Sequence, residues 1–118
     1  MTVLPIFKMI RTNADLLKIF GDRIYDSEAP LETKAPYIVW QIVSGTPYRG
    51  IDCAGDTDNL MFQVMIYDTN QLKAMQLREQ VRQVLENDCI INNSQINLKD
   101  PVTKLHGRGF DANWILER

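Results

Sequence analysis

The sequence has little of what several classes of protein require. Its 118 residues include one histidine and two cysteines, and Cys53 and Cys89 lie too far apart in the chain for the CxxC spacing of a zinc site. We expect both to be free thiols in a reducing compartment. No apolar run approaches the ~18 residues of a membrane span, and residues 1–18 lack the order of a signal peptide. We therefore expect neither a disulfide framework nor a membrane partner.

Neither sign of charge dominates the chain. Thirteen Lys and Arg residues against fifteen Asp and Glu residues give a formal net charge of −2. No basic segment is present that could follow a phosphate backbone, so we expect no sequence-specific nucleic-acid partner. The hydrophobic share of 45% and the charged share of 24% are those of ordinary globular proteins. With no internal repeat and no low-complexity segment, residues 1–118 are predicted to form a single domain.

Hydrophobic spacing predicts the first half of the fold. Apolar residues near the N-terminus recur at helical spacing, and a T-x-x-D box at Thr12 predicts a second short helix that ends at Gly21, or one bent helix in place of two. Residues 37–44 and 60–67 are rich in β-branched and aromatic side chains, and each run has a single Gln. These two runs are predicted to pair antiparallel, with residues 45–59 forming a long loop between them.

The second half is predicted to contain one long helix and two further strands. A D-x-x-Q box at Asp68 begins a helix that runs to Asn87. Its predicted buried stripe contains Ala74, Leu77, Val81, Val84 and Leu85. The residues predicted to lie outside the stripe and to face water are Lys73, Arg78, Glu79, Arg82 and Glu86. A strand near 96–98, a loop over 101–109 and a strand over 110–116 follow. With a short strand at 23–25, the order is α-(α)-β-β-β-α-β-β, an α+β fold whose mostly antiparallel four- to five-stranded sheet carries its helices on one face.

Few residues could carry chemistry. Cys53 and His106, with Asp52 or Asp56, have the residue types of a thiol hydrolase, and the acidic residues around Cys53 could hold Ca²⁺. The alternative is that His106 is a solvated loop residue and that the aspartates cap turns. No phosphate-binding glycine motif is present. The sequence therefore predicts neither an enzyme nor a cofactor. The rival hypothesis is that the chain is a small thiol- or metal-dependent cytosolic module.

Several residues are instead candidates for protein contact. Leu72 and Met75 fall outside the buried stripe of the long helix. Others lie in the two predicted loops. Local packing or solvation is the alternative for each of them. The predicted interface residues are Tyr48, Arg49, Ile51, Leu72, Met75, Lys104, His106 and Arg108.

Residues 21–41 carry a resemblance to a known family. Gly-Asp-Arg-Ile-Tyr at 21–25, Ala-Pro at 29–30 and Ala-Pro-Tyr-Ile-Val-Trp-Gln at 35–41 resemble the tail-completion, or tail-terminator, proteins of long-tailed bacteriophages and prophages. The strand over 62–67 that leads into a helix and the closing strand over 110–116 are similar to the same proteins. The resemblance extends over about residues 4–118.

The resemblance implies a minor tail protein without catalysis. Such proteins form a ring, typically of six subunits, that caps the tail tube, ends its polymerisation and offers the surface for head-to-tail joining. The implied partners are further copies of this chain, the tail tube protein and the head–tail connector, in the host cytoplasm during assembly and then in the virion tail. The isolated protein can be a monomer. A head-proximal neck adaptor is the alternative within the same assembly.

Overall fold

The computed structural model describes residues 4–30, 32–48 and 57–117, and the side chains within 4–30, 32–43 and 59–114. The elements are α1 (Ile6–Arg11), α2 (Ala14–Phe20), β1 (Ile24–Asp26), β2 (Tyr37–Tyr48), β3 (Thr57–Asp68), α3 (Gln71–Leu85), β4 (Ile90–Lys99) and β5 (His106–Glu117). The sheet order is β1-β2-β3-β5-β4. β1 pairs parallel to β2, and the other three pairings are antiparallel. The predicted α+β class and element order are confirmed.

The cap of α2 differs from the predicted T-x-x-D box. The Asn13 side chain accepts hydrogen bonds from the amides of Asp15 and Leu16, at 3.0 and 3.1 Å. The Thr12 hydroxyl instead donates to the carbonyl of Met9, in the last turn of α1. α2 therefore begins one residue later than predicted, because the amide oxygen of Asn13 satisfies the free N–H groups of its first turn.

The cap of α3 also differs from the predicted D-x-x-Q box. The Asn70 side chain accepts a hydrogen bond from the amide of Lys73 at 3.0 Å. Asp68 lies at the end of β3, where its carboxylate accepts the amide of Thr69 at 2.6 Å. Asn70 is therefore the residue that caps the helix.

β2 and β3 are longer than predicted. Gln41 lies opposite Gln63, which confirms the predicted antiparallel pairing. β2 continues through Gly45 and Pro47 to Tyr48, and β3 begins at Thr57, so the predicted loop over 45–59 is reduced to residues 49–56, outside the described residues. The polar and glycine-containing end of β2 lacks an apolar alternation, but pairing with β3 satisfies its backbone groups.

β5 begins at His106, four residues before its predicted start. Gly107 and Gly109 therefore lie in a strand and not in a flexible loop. A Cβ at position 109 would overlap the carbonyl oxygen of Val64 and the side chain of Met65 on β3. Glycine at this position permits the close approach of two backbones, which explains why a strand contains residues that are depleted in strands.

The core lies between the helices and one face of the sheet. Alternate residues of β3 point into it, as the pleat of a strand requires. α3 contributes the predicted stripe, of which Val84 is only partly buried. The buried members are Leu4, Ile6, Ile10, Leu16, Phe20, Ile24, Ile38, Trp40, Leu60, Phe62, Val64, Ile66, Ala74, Leu77, Val81, Leu85, Phe110 and Ala112.

Candidate interaction surfaces

Stacked tyrosines line a groove on the sheet face opposite the helices. Tyr37 and Tyr67 lie opposite each other on β2 and β3, with ring centroids 5.2 Å apart and an interplanar angle of 23°. The chain on either side of Leu31 forms one wall, and the turn between β4 and β5, represented by Asp100, Thr103 and Leu105, forms the other. The groove has a volume of about 520 Å³, and Tyr37 is only 8% exposed. We call this site the tyrosine groove.

The tyrosine groove is acidic. Glu28, Glu32 and Asp100 line it, and no described Lys or Arg does. The carboxylate of Asp100 accepts the amides of Val102 and Thr103, at 2.8 and 3.2 Å, and these hydrogen bonds lower the pKa of Asp100. Asp100 is therefore ionised at neutral pH.

The two tyrosines of the groove remain neutral phenols at physiological pH. Burial raises the pKa of Tyr37, with Tyr67 and Asp100 adding to the effect. Burial, followed by the charge of Asp100, also raises the pKa of Tyr67. The negative charge in the groove therefore comes from its carboxylates, above an aromatic floor.

The N-terminal end of α3 carries an exposed apolar surface beside the groove. Leu72 is 63% exposed and Met75 is 36% exposed, which confirms that both lie outside the buried stripe. Thr69 lines both this surface and the tyrosine groove, so the two are continuous. Large apolar side chains left in contact with water beside a groove are typical of a protein-contact surface.

The helical pair α1 and α2, on the other side of the molecule, has a small excess of exposed basic side chains, with Lys8, Arg11 and Lys18 against Asp15 and Asp22. Lys8 and Lys18 are exposed, as are the apolar side chains of Phe7 and Leu17. The Arg11 guanidinium lies over the Phe7 ring, 5.1 Å from its centroid. We call Phe7, Lys8, Arg11, Leu17 and Lys18 the helical-pair surface.

The predicted interface residues of the last loop have different surroundings. Lys104 is exposed in the turn before β5. His106 is the first residue of β5 and lies opposite the buried Asp68, so His106 is not in the predicted loop. Its side chain is partly buried.

Arg108 is neither in the predicted loop nor well exposed to solvent. It lies in β5 with 7% of its surface exposed. Its guanidinium donates to the backbone carbonyls of Leu98 and Gly107, at 3.1 and 2.9 Å. Both hydrogen bonds come from Nη1 and lie inside the fold. Arg108 therefore joins β4 to β5 and offers little surface to a partner.

The remaining predicted interface residues are those of the β2–β3 connection. Tyr48 is the last residue of β2, with its backbone opposite Thr57. Arg49 and Ile51 lie outside the described residues. They stay predictions.

Arg78 was predicted on the water-facing side of α3, but it is only 2% exposed. Its guanidinium donates to the side-chain oxygens of Asn97 and Gln95 on β4, each at 3.1 Å. Its Nε lies 3.4 Å from a carboxylate oxygen of Glu79. The signal in the sequence was the pair of amide residues at alternate positions of a strand, which gives one face of β4 hydrogen-bond acceptors.

The described residues show no constellation for thiol or metal chemistry. Cys89 is a half-buried free thiol, and burial, with Asp88 and Glu86 adding, raises its pKa to about 11. It is therefore protonated and unreactive at neutral pH. Cys53, Asp52 and Asp56, the residues of the rival hypothesis, lie outside the described part of the chain. Within that part no three His, Cys, Asp or Glu side chains cluster as metal ligands, and no helix is long and apolar enough to span a membrane.

The fold and its surfaces describe a small α+β domain with exposed apolar, acidic and basic patches suited to protein contact. A family model described as "Tail completion protein gp17" matches residues 5–116. The chain therefore belongs to this family, and it is a bacteriophage structural protein with a role in tail completion. The family predicted from residues 21–41 is confirmed.

The solved structure of bacteriophage SPP1 gp17 has a similar fold. The TM-score is 0.57 at 11% sequence identity, and the alignment covers 96% of this chain and 86% of the SPP1 chain. No curated protein sequence matches this chain. The likeness to SPP1 gp17 supports the arrangement of helices and strands.

Proposed function

We propose that the protein caps the finished tail tube as a ring of six copies, ends tube polymerisation and provides the surface to which the head is joined. The observation that carries this proposal is the presence of unlike contact surfaces on opposite sides of one small domain. The tyrosine groove and the helical-pair surface differ in charge, so one copy can contact the next head to tail. A head-to-tail interface that closes upon itself produces a ring.

Leu72 and Met75 would supply lateral contacts between copies. Their exposure makes them available, and burying such side chains in an interface is favourable by about 1.5–3 kcal/mol when burial is complete. Lys104, His106 and Tyr48, together with residues 49–56 between β2 and β3, would supply contacts along the tail axis. These contacts would be with the tail tube protein on one side and the head–tail connector on the other.

The isolated chain would be a monomer in the host cytoplasm, and the end of the tube would assemble it into a ring. Association of the copies would then depend on the additional contacts that the tube provides. No catalytic step or cofactor belongs to this function. The proposed function consists entirely of contacts with neighbouring proteins.

Electron microscopy of tails made with and without the protein tests the proposal. Without it, we expect tails of excess length or tails without heads, because nothing ends polymerisation or joins the head. Complementation with the wild-type chain should restore joined particles. Tails of normal length that carry heads in the absence of the protein would refute the proposal.

A further inference from the structure

We propose that the tyrosine groove of one copy receives the helical-pair surface of the next copy. This inference rests on the ring in the proposed function and adds the pair of surfaces through which its subunits contact one another. It commits to a second copy of this chain as the occupant of the groove.

The groove has the chemistry of a site for basic side chains. Glu28, Glu32 and Asp100 supply negative charge. Lys104 lies close enough to Asp100 to offset part of its charge, but no described Lys or Arg lines the groove beside Glu28 and Glu32. The rings of Tyr37 and Tyr67 form its floor. A Lys or Arg side chain gains from both features, because its charge meets carboxylates and its stem or guanidinium packs against an aromatic ring.

The helical-pair surface has the complementary chemistry. Lys8 and Lys18 are exposed, and each directly follows a partly exposed apolar residue in the chain, Phe7 and Leu17 respectively. Neither lysine forms a salt bridge among the described residues, whereas the guanidinium of Arg11 lies 3.4 Å from a carboxylate oxygen of Asp22. Lys8 and Lys18 are therefore the charges that a neighbour can engage.

The apolar parts of the two surfaces also match. The exposed surface formed by Leu72 and Met75 is continuous with the groove through Thr69. A copy that inserted its lysines into the groove would have Phe7 and Leu17 available to cover it. Charge and apolar area thus occur side by side on both surfaces, as in interfaces with an apolar centre and a polar rim.

The two surfaces cannot meet within one molecule. α1 and α2 pack on the sheet face that contains the core, where Ile10 and Phe20 are fully buried. Tyr37 and Tyr67 alternate with core residues along β2 and β3, so they face the other way. Each copy therefore has one acidic and one basic surface on opposite sides, which is the arrangement that head-to-tail closure requires.

Charge exchange between the two surfaces tests the inference. One variant, the groove variant, carries Glu28→Lys and Glu32→Lys. A second, the helix variant, carries Lys8→Glu and Lys18→Glu, and a third combines all four changes. Glu86→Lys with Asp88→Lys is the control, because both residues are exposed, lie outside the two surfaces and undergo the same charge change as those of the groove variant.

The readout is the amount of the protein retained on purified tails, measured against the tube protein. We expect the groove and helix variants each to be retained about tenfold less than wild type, because two attractions become two repulsions. The combined variant should return to within about twofold of wild type, since the same pairs are restored with their signs exchanged. The control should be retained as wild type.

The inference would be overturned if the groove and helix variants were both retained as well as wild type, or if the combined variant were not retained better than either of them. In both cases the presence of the wild-type chain on the tails would still uphold the proposed function. Absence of the wild-type chain from finished tails would overturn both. Circular dichroism establishes that each variant is folded. If a charge-reversed variant does not fold, the neutral pair Glu28→Gln and Glu32→Gln is used with the same readout, and unchanged retention of that pair overturns the inference.

Discussion

Gly107 and Gly109 lie two residues apart in β5 on the same face of the sheet, but an added methyl group would meet different neighbours at the two positions. At Gly109 the new Cβ would overlap the backbone carbonyl oxygen of Val64 and lie 3.1 Å from the Cα of Met65. At Gly107 it would meet side-chain carbons of Leu98 at 2.8 and 3.0 Å and a ring carbon of Tyr67 at 3.0 Å. A backbone carbonyl held in a sheet cannot move aside, whereas the exposed side chain of Leu98 can.

The magnitudes follow from that difference. Overpacking a well-packed region costs about 1–3 kcal/mol, and a backbone overlap belongs at the upper end of that range. Replacing Gly by Ala also reduces the entropy of the unfolded chain, which recovers about 0.4–1 kcal/mol where the backbone conformation is compatible. We therefore expect Gly109→Ala to lower the free energy of unfolding by about 2 kcal/mol, and Gly107→Ala to change it by less than about 1 kcal/mol.

Urea unfolding followed by far-ultraviolet circular dichroism measures both free energies on the isolated chain. Wild-type protein and the two variants are compared at the same temperature, and equal m-values are required for a direct comparison. Equal stabilities, or a greater loss for Gly107→Ala, would refute the placement of residues 106–109 in a strand packed against β3. A loop at these positions, as the sequence pattern predicted, would accept either alanine at little cost.

Three further predictions concern exposed or titrating groups. Leu72→Asp should leave the urea midpoint nearly unchanged, because the side chain is 63% exposed. It should nevertheless reduce head-joined particles at least about tenfold in electron micrographs, and normal joining would contradict its lateral role. A nuclear magnetic resonance titration should give Asp100 a pKa below 3.8. The stability that the Asp100 carboxylate contributes should be present above the pKa it has in the unfolded chain and should be lost as the pH falls through its pKa in the folded protein. A pKa at or above 3.8 would contradict the two amide hydrogen bonds. In a Cys53→Ser variant, the Cys89 thiol should react with a disulfide reagent at pH 8 only after unfolding, because burial raises its pKa to about 11; rapid reaction of the folded protein would contradict that burial.

Local pattern predicted the parts of the fold that repeat a simple period. The antiparallel pairing of β2 with β3 followed from two β-rich runs that each contain one glutamine, and Gln41 does lie opposite Gln63. The buried stripe of α3 followed from helical spacing. Both features depend on neighbours within the same element or in one adjacent element, which a single sequence records directly.

Features that depend on a distant neighbour were missed. Glycine at 107 and 109 is typical of turns and therefore predicts a loop at the start of β5. The glycine at 109 is instead explained by the close approach of the Val64 backbone. The helical spacing places Arg78 outside the apolar stripe and so predicts that it faces water. The side chains that accept its hydrogen bonds, Asn97 and Gln95, lie 19 and 17 residues further along the chain, where that spacing carries no information.

The tyrosine groove was also missed, although the sequence contained a usable signal. Once Gln41 is aligned with Gln63, antiparallel pairing places Tyr37 opposite Tyr67. The acidic wall could not be derived in the same way, because residues 27–30 lie in an irregular segment whose path depends on tertiary contacts. The pairing of the rings was therefore predictable, but their enclosure was not.

Locating the protein in the finished particle tests directly whether it forms a ring between the tail tube and the head. Electron cryo-microscopy of intact virions should place a ring of copies of this chain between the last layer of the tail tube and the head–tail connector. We expect density at that position that fits the five-stranded sheet with α1, α2 and α3, and neighbouring copies in contact head to tail. Tube and connector in direct contact, with no copy of this chain between them, would contradict it.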